Sequence, residues 1–289
     1  MTASAPEPFL VPSFDGSLIA VRRFGEGELM PLLIVNAVGA DLSVWNKALI
    51  DIVREREVVT WDHRGLNDSG PLQSDRIDAG AQAEDAIAAL DHLGLERVVM
   101  ASWSNGSRIA FEIAFRYPER ISAAAVACGG YGHPFGRLLR RLEVASALPV
   151  AAGVAKHFSG SLGGPLRTLA SRPELAGLLR QSGMLAGSAD TEAMAGLFRS
   201  VARCDLRTLL ATFEAVVGDA APEILTQIET PTLLIAGERD HITSRHMMEE
   251  TRRLIPNARL EIYDKATHYL PIEFPARLSH DLREFFDHA

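Results

Sequence analysis

The sequence predicts an α/β protein: a mostly parallel sheet with helices on both faces and a helical insertion near its middle. Three observations carry this. Short apolar runs alternate with longer helical patterns up to about residue 130, as in βαβ units. Strand character then vanishes from about Tyr131 to Pro222, and it returns at Pro231 to Gly237 and Arg259 to Tyr263.

Taken in order, Phe9 to Pro12 and Leu18 to Phe24 flank Phe14-Asp15-Gly16-Ser17, whose Asp-Gly step signals a hairpin and an antiparallel start. Leu32 to Val35, Val58 to Trp61, Val98 to Ala101 and Ile121 to Ala127 are apolar runs bounded by polar residues or Gly. They read as strands buried on both faces. Helical patterns fall near 44–54, 80–93 and 105–116, then near 244–254 and 274–287. Between the two sets, Ala, Leu and Arg dominate segments broken by Gly-rich stretches such as Ser159-Gly160-Ser161-Leu162-Gly163-Gly164-Pro165. The expected organisation is a core of residues 1–130 and 223–289 split by a helical lid, 131–222. Gly129, Gly130 and Gly132 lack a Gly-x-Gly-x-x-Gly pattern and are expected to form a flexible entry to it.

Composition narrows the function classes. In 289 residues, 47% are hydrophobic and 23% charged, which excludes a disordered chain and a coiled coil. Lys and Arg number 29 against 37 Asp and Glu, a net charge of −8, and basic residues never cluster beyond pairs such as Arg140-Arg141. Neither nucleic acid nor an anionic membrane surface is an expected partner. Cys128 and Cys204 lack the paired spacing of zinc or redox motifs, and the nine histidines show no His-Glu-x-x-His spacing, so neither metal nor cofactor is expected. Met1 to Pro8 carries no signal-peptide pattern and no apolar run approaches ~20 residues, so a cytoplasmic protein is expected.

The chemistry concentrates at Val98-Val99-Met100-Ala101-Ser102-Trp103-Ser104-Asn105-Gly106-Ser107-Arg108-Ile109-Ala110-Phe111, where a strand runs into a helix with almost no connection. A turn this sharp holds its apical residue at positive φ and needs small side chains two positions to either side. Only Ser104 meets this, with Ser102 before and Gly106 after. Its hydroxyl would project above the strand ends, and the backbone N–H of Asn105 would face an oxyanion formed there. An N-capping serine on an ordinary helix is the plainer reading of the same residues.

A nucleophile elbow requires an acid and then a histidine downstream. Asp240 follows the run Pro231 to Gly237, and His268 follows Arg259 to Tyr263, so all three residues fall just beyond strand ends on one rim. His268 would take the proton of Ser104 and return it to the leaving group, while Asp240 holds the imidazole tautomer. Asp240 as a turn residue, His268 as a surface loop residue, and Glu238 or His241 as rival members stay open. A second oxyanion donor is expected in Asn36-Ala37-Val38-Gly39-Ala40-Asp41, at the N–H of Val38. Asp62-His63-Arg64-Gly65 lies on the same rim, where Asp62 and Arg64 are expected to form a hydrogen-bonded turn beneath the site.

Strand order, the elbow, Gly237-Glu238-Arg239-Asp240 and Thr267-His268-Tyr269-Leu270-Pro271-Ile272-Glu273 together resemble the α/β-hydrolase superfamily over nearly the whole chain. The resemblance implies a mostly parallel, eight-stranded α/β-hydrolase sheet. Asn36 to Trp45 is similar to the 3-oxoadipate enol-lactonase group, which carries Asn rather than the common His-Gly before its oxyanion residue, and Cys204-Asp205-Leu206-Arg207 is a weaker echo of the same group. The chain departs from it at Leu66-Asn67, where His-Gly is usual, and at Ser102 in place of the elbow glycine. The expected activity is cofactor-free hydrolysis of a small carboxylic ester or lactone through an acyl-enzyme, with Trp103, Tyr131, Phe135 and Phe158 as candidate apolar linings of the substrate pocket. Two rivals remain: the same triad acting on a carbon–carbon bond beside a ketone or on peroxide, and a non-catalytic ligand receptor on the same fold.

Overall fold

The computed structural model describes residues 6–131, 174–218 and 222–288; Gly132, Phe135, Phe158 and much of the expected lid lie outside them. The strands are β1 (Phe9–Pro12), β2 (Leu18–Val35), β3 (Arg56–Trp61), β4 (Val98–Trp103), β5 (Ile121–Ala127), β6 (Thr232–Gly237) and β7 (Ala258–Tyr263). They form one sheet in the order β1-β2-β4-β5-β6-β7, with β3 paired to β2. Every pairing from β2·β4 to β6·β7 is parallel.

Among the described residues the sheet has seven strands where eight were expected, because Leu18–Val35 is one continuous element instead of two strands. Its first half pairs antiparallel with β3, from Val21↔Trp61 to Phe24↔Val58. It then bends back, so that Leu32, Leu33 and Ile34 meet Val58, Val59 and Thr60 on the other edge of β3. Gly25, at φ +93°, sits at that bend. The hairpin between β1 and β2 turns at Gly16, φ +85°, with Pro12 opposite Leu18.

The helices of the first half are α1 (Ile52–Glu55), α2 (Ala79–His92) and α3 (Gly106–Arg116). The helix expected over 44–54 is instead a 3-10 turn at Leu42–Val44, further turns and the short α1. The side chain of Trp45 is drawn down to Asn36, with its Nε1 donating to Oδ1 at 3.0 Å. Between β5 and β6 the described regular elements are all helical: α4 (Glu174–Gln181), α5 (Thr191–Arg203), α6 (Leu206–Gly218) and α7 (Pro222–Leu225). Next come α8 (Arg245–Leu254), α9 (Leu270–Glu273) and α10 (Pro275–Asp287).

Strands β4, β5 and β6 are buried at every position, and their alternate residues enter opposite cores. Met100, Val126 and Leu234 pack with Ile109, Ile113 and Leu90 on the face covered by α2 and α3. Val99, Ala101, Leu233 and Ile235 pack with Leu278, Leu282 and Phe285 on the face covered by α10. Helix-covered faces on both sides explain why these runs are continuously apolar rather than alternating. The architecture also aligns the carboxyl ends of β4, β6 and β7 on one rim.

Candidate active site

Only Ser104 and Asn105 separate β4 from α3, and Ser104 is held at φ +56°. A non-glycine residue in this region is strained and persists only where its surroundings over-determine it. Here the Ser104 N–H donates to the Ala127 carbonyl of β5 at 3.0 Å. A Cβ on Gly106 would lie 2.4 Å from the Asn36 carbonyl oxygen, and one on Gly129 would lie 2.8 Å from that of Ser104. Gly129 and Gly130 are therefore close-approach positions, buried against the elbow and against Met247 and Met248, rather than a flexible entry.

The Ser104 hydroxyl lies 2.8 Å from Nε2 of His268, and Nδ1 of His268 lies 2.9 Å from Oδ2 of Asp240. Both partners are buried. A carboxylate can only accept, so Nδ1 carries the hydrogen and Nε2 presents its lone pair to the serine. The other oxygen of Asp240 accepts from the N–H groups of Ile242 and Thr243, both at 2.7 Å, so this residue is at once a turn former and the histidine's partner. Glu238 and His241, the rival candidates, are exposed; Glu238 accepts from the Lys265 N–H at 3.0 Å.

On the opposite side of the elbow, the Val38 N–H donates to Oδ1 of Asn105 at 2.8 Å. The loop that presents it is pinned by Asn36, whose Nδ2 donates to Thr60 Oγ1 at 3.1 Å while its Oδ1 accepts from Trp45. Gly39, at φ +79°, completes the turn, and its carbonyl accepts from Ser200 Oγ at 2.8 Å.

Ser104, His268, Val38 and Trp103 line a cavity of about 310 Å³ whose far wall is Leu197, Phe198, Val201, Phe213 and Val217 of α5 and α6. Tyr131 is not among its described lining residues; it stacks on Arg108, with the guanidinium carbon 4.4 Å from the ring centroid. Trp103 braces the histidine from below: its ring nitrogen donates to the His268 carbonyl at 2.8 Å and its ring lies 5.5 Å from the imidazole.

The family described as alpha/beta hydrolase fold matches residues 30–275. This chain belongs to it. Among curated relatives, this hydrolase-family chain is 25% identical over 261 residues to 3-oxoadipate enol-lactonase 2 of Acinetobacter baylyi, covering 89% of this chain and 88% of that one. It is 26% identical over 260 residues to the pimeloyl-[acyl-carrier protein] methyl ester esterase of Neisseria meningitidis serogroup C, covering 86% and 92%. Among solved structures, the enol-lactonase of Burkholderia xenovorans LB400 superposes with a TM-score of 0.77 at 20% identity, over 96% of this chain and 100% of that one. The last likeness is one of fold.

Three features of this hydrolase-fold site escape sequence reasoning. Glu273 is buried five residues after His268, where it accepts from the Thr267 N–H at 2.7 Å and from the Ala186 N–H at 2.8 Å, tying the histidine loop to the segment after α4. Its place in the Thr267 to Glu273 segment was the only signal. Cys128 lies under the acid, and its sulfur, an Asp240 oxygen and a His268 nitrogen all fall within 4.8 Å of one another. Burial, reinforced by the charge of Asp240, pushes that thiol well up and keeps it protonated. The third feature is the pairing around Asp62. Arg64 bonds not to Asp62 but to both oxygens of Asp85, at 2.6 and 2.8 Å, and to Asp15 at 2.8 Å, while Asp62 pairs with Arg22 at 2.9 Å. Both aspartates that take Arg64 come from elements that pack onto the Asp62 turn only in the folded chain. Among the described residues, no helix is long and apolar enough to cross a membrane.

Proposed function

We propose that this protein hydrolyses a small carboxylic ester or lactone through an acyl-enzyme formed on Ser104. The observation that carries the reading is the unbroken chain Ser104 Oγ, His268 Nε2, His268 Nδ1, Asp240 Oδ2, with links of 2.8 and 2.9 Å, at the mouth of an apolar cavity. Ser104 attacks the carbonyl carbon as His268 takes its proton, and the imidazolium is stabilised by Asp240. Collapse of the tetrahedral adduct expels the alcohol, which receives that proton. Water then repeats the cycle on the acyl-enzyme and frees the acid. The developing oxyanion is taken by the N–H groups of Val38 and Asn105. Because Asn105 Oδ1 already accepts from Val38, the substrate's oxygen replaces a side-chain oxygen in that position.

Residues 131–222 act in this reading as the lid over the cavity, and Trp103 as part of its wall. The enol-lactonase and methyl ester esterase relatives support the substrate class. The test is a panel of short esters and lactones with Ser104→Ala and a fluorophosphonate label. Loss of about a million-fold in kcat, with label on Ser104 alone, is expected. Full turnover by Ser104→Ala sinks the reading, and product analysis showing carbon–carbon cleavage without any ester turnover redirects it.

A further inference from the structure

We propose that helix α5 fixes the geometry of the oxyanion hole, with Ser200 as the positioning residue that holds the loop presenting the Val38 N–H. The inference rests on the hydrolase reading for the role of that N–H, and on geometry alone for what holds the loop. Two faces of α5 serve different purposes. Leu197, Phe198 and Val201 line the cavity, whereas Gly196 and Ser200, one turn apart, meet the segment from Gly39 to Ser43. A Cβ on Gly196 would lie 2.6 Å from that of Ser43, so only glycine allows an approach this close. Asp190, the residue capping α5, pairs with Lys47 beyond the same segment at 2.9 Å.

The oxyanion loop needs an outside hold because it has little of its own. Ala37 to Ala40 form a turn closed by the Ala40 N–H on the Ala37 carbonyl at 2.9 Å, with Gly39 at φ +79°. A single internal bond leaves the tilt of the turn free, and with it the direction of the Val38 N–H at the second position. Two side chains restrain the Gly39 carbonyl: Ser200 Oγ donates to it at 2.8 Å and Asn67 Nδ2 at 3.4 Å. The Ser200 hydroxyl has one hydrogen, and of its two acceptors, this carbonyl and Asn67 Oδ1 at 3.4 Å, the nearer takes it. Ser200 is fully buried, where a short hydrogen bond is electrostatically stronger than in water.

Asn67 is an independent observation. It sits in the left-handed region at φ +49°, a conformation that glycine adopts without strain. The strain brings a side chain that glycine lacks. Its Nδ2 reaches the Gly39 carbonyl, and its Oδ1 accepts at 3.4 Å from the sulfur of Cys204, the residue that ends α5. The oxyanion turn, the segment after β3 and the end of α5 are thereby joined around one carbonyl oxygen. An oxyanion donor acts only at about 2.7–3.1 Å from the developing charge. Without Ser200 the turn tilts away from that place while the cavity wall keeps its shape, so the transition state loses binding and the resting ester does not.

Stopped-flow release of 4-nitrophenolate from 4-nitrophenyl butyrate gives the acylation rate constant and the ester's Kd separately. In Ser200→Ala the acylation rate is expected to fall about tenfold, less than the ~10²-fold for deleting a donor outright, with Kd within about twofold of wild type. Amide hydrogen exchange reads the loop directly and needs no substrate. The Ala40 N–H is expected to exchange at least about tenfold faster in Ser200→Ala, while Ile109 to Phe111 in α3 keep their rates. A wild-type acylation rate in Ser200→Ala overturns the proposal, as does a rise in Kd that accounts for the whole loss, or unchanged exchange at Ala40. Asn67→Gly, relieved of its strain, is expected to show the same pattern at about threefold, and it decides should Ser200→Ala not fold. If the wild type releases no nitrophenolate and takes no fluorophosphonate at Ser104, the hydrolase reading fails, and exchange at Ala40 alone decides whether Ser200 holds the loop.

Discussion

Replacing Asp240 by Asn tests the proton path with almost no change of shape. In the structure one oxygen of Asp240 accepts from the Ile242 and Thr243 N–H groups at 2.7 Å, and the other meets Nδ1 of His268 at 2.9 Å. An asparagine keeps the first arrangement through its carbonyl oxygen and so preserves the turn. Its NH₂ then replaces the oxygen facing the imidazole, and two donors cannot share a hydrogen bond. His268 must turn its lone pair to Nδ1 and carry its hydrogen on Nε2, which faces the Ser104 hydroxyl and can no longer accept its proton. The expected loss is about 10⁴-fold in kcat, on the order of 5 kcal/mol of transition-state stabilisation, as for the same tautomer error in other serine triads. The assay pairs kcat on the best ester substrate with the unfolding free energy from urea titration, which is expected to change by less than about 1 kcal/mol because the turn's two hydrogen bonds survive. Asp240→Ala, which loses all three bonds, lowers both. An Asp240→Asn enzyme that keeps more than about a tenth of wild-type kcat with a native unfolding midpoint refutes the proposed role of His268 as base.

Two further predictions concern the scaffold around the site. His63 is buried with neither ring nitrogen bonded among the described residues, and desolvation lowers its pKa to about 4. The unfolded chain takes up that proton near pH 6.5 and the folded one near pH 4, so stability present above 6.5 is lost as pH falls through this window, by about 3 kcal/mol. Urea midpoints at pH 7 and pH 4.5 for the wild type and His63→Phe check it; an equal acid loss in both proteins rules the histidine out. In the second case, Gly106→Ala drives a Cβ to 2.4 Å from the Asn36 and 2.7 Å from the Val35 carbonyl oxygen, both backbone atoms that cannot swing aside. A loss of about 1–3 kcal/mol in stability together with a collapse of activity is expected, and near-native values for both would show that the elbow is not held by that close approach.

The sequence alone determined the parts of this protein that depend on local periodicity and small-residue spacing. Runs such as Val98 to Ala101 and Ile121 to Ala127 announce strands covered on both faces, and they lie where β4 and β5 run. Ser104 stood out because it alone has small residues two positions to either side, a requirement written into the chain by the turn itself. Asp240 and His268 could be nominated from order and from their places just past strand ends, with Glu238 and His241 left as rivals.

Partner choice belongs to the tertiary structure, because a hydrogen bond selects the group that folding brings within about 3 Å, whatever its separation in sequence. Arg64 finds Asp85 rather than neighbouring Asp62, and the Asn105 amide crosses to Val38. Glu273 joins the histidine loop to Ala186. The continuity of Leu18–Val35 through its bend, which makes one strand of an expected two, depends on the way β3 slots between its halves. The placing of Arg108 in the cavity wall follows likewise from which face of α3 turns toward the rim. Local spacing could specify a strained serine, but only the packing of distant segments sets which groups lie beside it and what charge its cavity presents.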